Sequence, residues 1–288
     1  MNRLAGRTRS KRVRPRPDGW AWAGIVIVAA GLLLAVGGPL VAPHEVGAII
    51  SDSNFEAPGI STLLGTDTLG RDILSRLLHG ARLTVGVALA ATVLGFLIGM
   101  AAGFSAAEIK GRYDDFMLWL ADMMLSFPPL LLALIVIASL SSSLPVLICT
   151  IAVLHASRVA RVSRAVAMNI AALEFVEVAR ARGESLVSIL VREIWPSTIR
   201  PLAVEFGLRL TYSILFLSSL SFLGLGIQPP DADWGSMVRE NLNALQTGAY
   251  IAVLLPAFAI AILTVGVNLI VDWLGAVSGR SISEELTG

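Results

Sequence analysis

The sequence predicts an all-α polytopic membrane protein whose chain crosses the bilayer six times. Among its 288 residues 55% are hydrophobic and only 15% are charged, and the mean hydropathy is +0.76. Soluble domains do not reach such values. The apolar residues are grouped in runs long enough for membrane helices, and the basic residues are concentrated on alternate loops between those runs. Both patterns are typical of a multi-pass protein.

Six apolar runs are predicted to be the membrane helices, since about 20 apolar residues span the hydrocarbon core. They cover residues 20–42, 84–104, 116–140, 144–156, 202–225 and 249–273. The third is expected to break near Pro128 and Pro129, and the fourth is short for a span. The first is expected to be retained, because a cleaved signal peptide has a shorter apolar core. One face of the second helix is predicted to pack closely through its glycines, Gly86, Gly95, Gly99 and Gly103.

The distribution of lysine and arginine predicts that both termini lie in the cytoplasm. With that orientation 17 of the 22 basic residues lie inside and 4 outside, and Arg209 is left in the bilayer. Residues 1–19 form a basic tail, interpreted as an orientation signal against anionic lipid rather than a nucleic-acid arm. Residues 43–81 become an extracytoplasmic loop, residues 158–200 a cytoplasmic loop, and residues 274–288 a cytoplasmic tail.

The most informative stretch is the arginine-rich amphipathic segment 175–202. Apolar residues at near-helical spacing predict a first helix of about 8 to 10 residues that starts at Phe175, with Val176, Val178 and Ala179 on one stripe. Gly183 is expected to end this helix in a left-handed conformation. A second helix follows, with apolar residues at Leu186, Ile189, Leu190 and Ile194. Two prolines are predicted to stop it and to start the next membrane helix, Pro196 and Pro201.

This segment resembles the cytoplasmic EAA loop of permease subunits in binding-protein-dependent ABC importers. The resemblance rests on Glu177, Ala179 and Gly183, with Pro196 thirteen residues after the glycine. In that family the loop forms a coupling helix that docks on the ATP-hydrolysing subunit. The sequence departs from the pattern at two positions, Val178 for alanine and Trp195 for leucine. The ATPase-coupling residues that the resemblance implies are Glu177, Ala179, Arg180, Gly183, Glu184, Ser185, Leu186, Ile189, Ile194 and Pro196.

Two further stretches are similar to the dipeptide, oligopeptide and nickel class of these permeases. Leu63 to Leu89 resembles the segment before the second helix, and residues 220–235 carry the SFLGLG, PP and WG signature. The resemblance implies a type I ABC importer permease fold and the C-type partner of the two permeases. The last residues depart from it, because Gly275, Ala276 and Val277 replace the usual charged residues.

The outer loop supplies candidate residues for an outer gate or for contact with a binding protein. Residues 73–78 are predicted to form an amphipathic helix near the outer surface, and Trp234 is expected to anchor the loop at the membrane interface. The alternative is that this surface helix only seals the outer mouth. The candidate residues are Asp67, Arg71, Asp72 and Trp234.

The chain contains no motif for chemistry of its own. It has no GxxxxGK[ST] phosphate-binding loop and no HExxH, and its three histidines are far apart in sequence. The single cysteine, Cys149, is interpreted as a small buried hydrophobic residue. The chain is therefore expected to be no enzyme and to hold no metal or cofactor, and the ATP and Mg that drive transport are expected in partner subunits.

Three ionisable residues within the predicted spans are candidates for the translocation path. Glu205 and Arg209 are spaced four residues apart in the order that favours an ion pair within one helix. They are interpreted either as a mutual pair or as groups that touch the termini of a zwitterionic substrate. Asp122 is expected to contact an inner-loop arginine such as Arg161 rather than the substrate.

The resemblance, with the permease core at residues 82–273, implies a subunit of a bacterial inner-membrane importer of di- or oligopeptides. The expected partners are a homologous second permease, two ATP-binding subunits, an extracytoplasmic substrate-binding protein and the lipid bilayer, with no nucleic acid. Nickel chelates, glutathione and opines are alternative substrates within the same class. A secondary transporter driven by an ion gradient is the alternative from another class, although neither an inverted repeat nor a midplane acid triad is visible.

Overall fold

The computed structural model describes residues 18–287, with side chains up to residue 278. The basic tail predicted for residues 1–19 therefore lies outside the described residues except for its last two. Within the described part the chain is helical, with two isolated β-bridges in the outer loop and no strand. The helices are α1 (Gly19–Val41), α2 (Ile73–Ile109), α3 (Gly111–Ser126), α4 (Pro129–Leu140), α5 (Leu144–Ala171), α6 (Glu174–Ala181), α7 (Leu186–Ser188), α8 (Trp195–Phe222), α9 (Trp234–Glu240), α10 (Ala244–Thr247) and α11 (Ile251–Thr287), and a π-helical segment covers Ile189–Ile194.

Five helical stretches of the described chain are long and apolar enough to cross a membrane, and a bent pair can form a sixth span. The five are Gly19–Val41, Ile73–Ile109, Leu144–Ala171, Leu186–Phe222 and Ile251–Ser278. The bent pair is α3 and α4, which meet at 86°. The bend falls where Pro128 and Pro129 disfavour helix in the preceding residues, as the sequence predicts.

Two predicted helix boundaries are wrong. The separate surface helix at residues 73–78 is the first part of α2, because Asp72 caps the helix by accepting from the Ser75 N–H at 3.0 Å and no breaker follows. The fourth helix is not short, since α5 continues from residue 156 to Ala171. The arginines of that second half made it resemble a loop, but they lie on a continuous helix.

Glycines allow α2 and α5 to approach closely. A Cβ added at Gly95 would lie 2.5 Å from the Ala152 carbonyl oxygen, and one added at Gly103 would lie 2.1 Å from Ser163 Oγ. The Ser163 hydroxyl also donates to the Gly99 carbonyl at 3.2 Å across the same contact. Gly86 does not share this role, because nothing lies within 4 Å of the position of its Cβ. The small residues therefore set the contact of these two helices, as is common in membranes.

The remaining helices pack against parts of this pair and against one another. The second half of the chain adds α8 and α11, and α1 packs against α11 where Gly24 faces Gly266. Large apolar side chains are exposed along the outside of the bundle, which is the surface that lipid or other subunits cover. Cys149, expected to be buried, is exposed on this apolar exterior.

The outer loop is held to the bundle by a buried ion network. Asp67 Oδ2 lies 2.7 Å from Arg71 Nε and 2.6 Å from Arg76 Nη1, and Glu240 Oε2 lies 2.5 Å and 2.9 Å from the same two arginines. The side chains of Asp67 and Arg76 are each 1% exposed. Because a buried charge needs a partner, the network fixes α2 against α9 at the loop end of the bundle.

Candidate functional site

At the opposite end of the bundle the chain forms a two-part elbow, residues 174–194, between α5 and α8. The first part, α6, ends in a Schellman motif: the Gly183 N–H donates to the Arg180 carbonyl at 2.9 Å, and the Glu184 N–H donates to the Ala179 carbonyl at 3.2 Å. Gly183 has a φ of +76°, a left-handed conformation that glycine adopts without strain. The predicted glycine stop is therefore confirmed.

The second part of the elbow runs into the membrane helix without a stop. Ser185 begins it by accepting from the Ser188 N–H at 3.3 Å, and α7, the π-helical segment and α8 follow continuously. Pro196 lies in the first turn of α8, directly after the π-helical segment, and Pro201 lies inside the helix. The prediction that these prolines separate two helices is wrong.

An ion pair fastens the elbow to the bundle. Arg180 donates through Nε and Nη2 to the two carboxylate oxygens of Glu108 on α2, at 2.9 Å and 2.7 Å, and through Nη1 to the Ala171 carbonyl at 3.2 Å. The hydrogen bonds to Glu108 raise the pKa of Arg180 above its ordinary value. A bidentate arginine holds geometry better than a single contact does, so α6 is tied to the ends of α2 and α5.

The elbow has one face against the bundle and one facing away. Val176, Ala179 and Ile194 are fully buried and Ile189 is almost so, and they pack beneath α2 and α5. The single apolar stripe expected on α6 is in fact two, because Phe175 and Val178 point outward. The outward face carries exposed apolar side chains of Phe175, Val178, Leu186, Val187 and Val191.

The predicted coupling residues divide between these two faces. Leu186 belongs to the outward apolar face, and Glu177 and Ser185 are also exposed. The Glu184 carboxylate accepts hydrogen bonds from Arg182 Nη2 at 2.8 Å and from the Ser188 hydroxyl at 2.9 Å. Three of the predicted coupling residues, Ala179, Ile189 and Ile194, are buried and support the elbow from within. Sequence reasoning missed Val187 and Val191 of the outward face. Apolar residues that lie off the buried stripe of an amphipathic helix indicate a second apolar face, and this signal could have found them.

A cavity of about 310 Å³ lies between α5, α8 and the start of α4. Its lining combines apolar side chains with His155, Arg158, Arg209 and Tyr212. The predicted pair is present, since Arg209 Nε lies 2.8 Å from Glu205 Oε1. These two atoms are not aligned as a hydrogen bond, however, and both lack a hydrogen-bond partner. Sequence reasoning missed His155 and Arg158, because its fourth helix ended at residue 156.

The other predicted path residue, Asp122, does not line this cavity. It contacts Arg161 in an ion pair, as expected, and both side chains are about half exposed. On the next turn of α5, Arg164 binds Asp114 in a bidentate pair. These pairs join α3 to the elbow half of α5. Among residues 18–278, no group of three or more His, Cys, Asp or Glu is placed to hold a metal ion.

The four outer-loop candidates are buried rather than displayed. Asp67, Arg71 and Asp72 are between 1% and 5% exposed, and Trp234 is 3% exposed. The Trp234 indole donates from Nε1 to the Leu77 carbonyl at 3.0 Å, so it packs inside the loop. The expectation that Trp234 anchors the loop at the membrane interface is therefore wrong, since a buried indole finds its partner within the protein.

The described chain thus combines five or six candidate membrane spans with an elbow that packs one face against the bundle and exposes apolar side chains on the other. The chain belongs to the family of binding-protein-dependent transport system inner membrane components, whose family model matches residues 95–284. It is thus a multi-pass protein of the bacterial inner membrane and the permease component of an ABC importer. Members of this family are membrane permeases and are not themselves enzymes.

Three similar proteins each match most of this chain. A putative peptide transport system permease protein from Brucella suis biovar 1 is 34% identical over 251 residues, which is 87% of this chain and 84% of the relative. The glutathione transport system permease protein GsiD from Escherichia coli O6:K15:H31 is 33% identical over 262 residues, 91% and 86% of the two chains. GsiD from Pectobacterium atrosepticum is 32% identical over 256 residues, 86% and 85%.

Proposed function

We propose that this permease carries di- or oligopeptides, forms half of the translocation path and couples that path to separate ATP-hydrolysing subunits. In the assembled importer it pairs with a homologous second permease, rests on two ATP-binding subunits and receives solute from an extracytoplasmic binding protein. ATP and Mg are held by the partner subunits, and this chain needs no cofactor. Both termini and the elbow lie in the cytoplasm, in keeping with the excess of basic residues on that side.

The construction of the elbow is the observation that carries this proposal. Its inner face is fixed by Val176, Ala179 and Ile194, and its outer face leaves Val178 and Val187 more than half exposed. In a loop that touched only water such apolar side chains would have no function, whereas an apolar face with charged residues around it suits a protein partner. Because the elbow continues into α8 without a break, movement of the elbow moves a membrane helix.

The mechanism is alternating access driven through that connection. Closure of the ATPase dimer displaces the elbow. The helix α8 tilts with it because α8 continues the elbow without a break, and α5 follows through the short turn at residues 172–173 and the hydrogen bond from Arg180 to the Ala171 carbonyl. A rigid element transmits a displacement, whereas a flexible loop absorbs it. The Arg180–Glu108 pair and the Schellman motif supply the required stiffness. The ion-gradient alternative has no support in this family.

Peptides are the proposed substrate because the similar proteins are named a peptide transport permease and a glutathione transport permease. Glutathione, itself a tripeptide, is the second candidate. Reconstitution of the full importer in liposomes tests the proposal, with uptake of labelled dialanine, glutathione and a nickel chelate measured with and without ATP. We expect ATP-dependent uptake of at least one peptide and no uptake by this chain alone. ATP-independent uptake by the isolated chain, or uptake of the nickel chelate only, would contradict it.

A further inference from the structure

The cavity between α4, α5 and α8 lies about halfway along α5 and α8. Arg158 is the fifteenth of the 28 residues of α5, and Arg209 is the fifteenth of the 28 residues of α8. His155 lies one turn from Arg158 on the same helix. Both helices belong to stretches long and apolar enough to cross the membrane, where a charge is costly and marks a functional path unless it is neutralised.

Charge around this cavity is incompletely neutralised. Among the described residues, Glu205 is the acid whose charge acts on the site, and it is paired with Arg209. Arg158 acts on both Glu205 and His155 without an ion pair of its own in the described chain, and its side chain is exposed. Two guanidinium groups thus face one carboxylate. Within the described residues, the site therefore keeps one guanidinium group, that of Arg158, without an ion-pair partner.

Hydrogen-bonding capacity is also left unused. His155 is 8% exposed, and its Nε2 has no hydrogen-bond partner although it lines the cavity. Arg209 Nε is likewise without an aligned acceptor. The guanidinium carbon of Arg209 lies 5.0 Å from the centre of the Tyr212 ring, which holds the arginine beside the cavity. Buried polar groups are normally satisfied, so these unpaired atoms indicate a visiting partner.

We propose that this cavity binds a carboxylate of the solute while it crosses the membrane. Arg158 supplies the free positive charge, and His155 and Arg209 supply further contacts. The apolar walls, which include Leu130, Ile151 and Phe216, receive the uncharged part of the solute. The assignment rests on the proposed peptide function, since every peptide with a free C-terminus carries such a carboxylate. A carboxylate of the neighbouring permease is the competing partner for Arg158.

The test uses the complete importer in liposomes, with labelled dialanine and glutathione as probes. Arg158→Gln removes the charge and keeps much of the volume, whereas Arg158→Lys keeps the charge. Arg82→Gln, which removes an exposed arginine of α2 outside the cavity, is the matched control. Three quantities are measured for each variant: recovery of the assembled complex, basal ATP hydrolysis and the rate of uptake at saturating probe.

We expect Arg158→Gln to assemble and hydrolyse ATP normally but to lower the maximal uptake rate about tenfold, the lower end of the effect of losing a hydrogen bond to a charged group. Its half-saturating probe concentration, set by the binding protein, should be unchanged. Arg158→Lys should recover at least part of the rate, and Arg82→Gln should match the wild type.

Two results would overturn the assignment while leaving the importer function intact. Uptake by Arg158→Gln equal to that of the wild type would show that the charge is not used. Loss of the second permease from the Arg158→Gln complex would show that Arg158 pairs with a neighbouring subunit. Failure of the wild-type complex to take up either probe is a different outcome. It contradicts the proposed peptide function, and the cavity assignment, which depends on that function, fails as well.

Discussion

The elbow can be perturbed at Gly183 without removing any contact. Gly183 has a φ of +76°, and nothing lies within 4 Å of the position of its Cβ, so a side chain there meets no neighbour. The only penalty is the left-handed backbone, which costs an L-residue about 1–2 kcal/mol. A β-branched residue such as valine lies at the upper end of that range. The Schellman motif then holds the angle between the two parts of the elbow less firmly.

A loss of about 1–2 kcal/mol lowers the ratio of native to altered elbow conformations by a factor of about 5–30. We expect Gly183→Val to insert in the membrane at the wild-type level and to hydrolyse ATP, while uptake falls at least about fivefold. Assays of membrane content, ATP hydrolysis and uptake in reconstituted importer separate these effects.

Gly111 provides the matched control for this substitution. It also has a positive φ, +60°, and open space around its Cβ, but it lies at the start of α3 outside the elbow. Gly111→Val should carry a similar backbone penalty and keep ATP hydrolysis coupled to uptake. Normal uptake by Gly183→Val, or the same uncoupling in both variants, would refute the reasoning.

Three further predictions concern the two ends of the bundle. Val187→Asp should weaken binding of the ATP-hydrolysing subunits about tenfold in a pull-down titration, whereas Val187→Leu should not. Arg180→Gln leaves the buried Glu108 unpaired at a cost of about 1–3 kcal/mol, so hydrogen exchange in residues 174–194 should accelerate, and adding Glu108→Gln should restore part of the protection. Asp233→Asn should raise the melting temperature of the complex at pH 7 and have a clearly smaller effect at pH 4.5; a difference that does not depend on pH would contradict this.

The sign of the Asp233 prediction follows from its burial. Desolvation raises the pKa of the Asp233 carboxyl from 3.8 to about 6, and its Oδ2 has no hydrogen-bond partner. Because the folded state holds this proton more tightly than the unfolded state, stability falls as pH rises from about 4 to about 6 and then levels off. The corresponding free energy is about 3 kcal/mol. An asparagine carries no charge, so it escapes this loss while keeping an oxygen for the Gly235 and Ser236 N–H groups.

Some of the breakers in the sequence predicted the local structure, whereas Pro196 and Pro201 did not. Gly183 ends α6 because glycine adopts the left-handed conformation without strain, and Pro128 and Pro129 lie at the sharp bend between α3 and α4 because proline restricts its own backbone and that of the preceding residue. Hydropathy predicted the span lengths poorly. The second half of α5 contains Arg158, Arg161 and Arg164 and so has the composition of a loop. Its arginines are helical because Asp122 and Asp114 on α3 pair with two of them and a cavity receives the third.

The candidate sites could not be assigned without the tertiary structure, because contacts between distant residues decide which side chains are exposed. Periodicity located apolar residues on α6 but gave no means of telling that Val176 faces the bundle and Val178 faces outward. The charges of the outer loop suggested a surface that binds another protein. In the structure Asp67 instead pairs with Arg76, and Arg71 pairs with Glu240, which lies far along the chain. Only folding brings such distant residues together, so one sequence does not reveal them.

The central claim is that the outward face of the elbow lies in the cytoplasm and is covered by an ATP-hydrolysing subunit. A variant with Cys149→Ser and Val187→Cys carries one thiol, on that face, and its reaction with a membrane-impermeant maleimide tests the claim directly. We predict labelling in inverted membrane vesicles stripped of the ATP-hydrolysing subunits, protection when those subunits are restored, and no labelling in intact spheroplasts. Labelling in intact spheroplasts, or labelling that the subunits leave unchanged, would contradict the account.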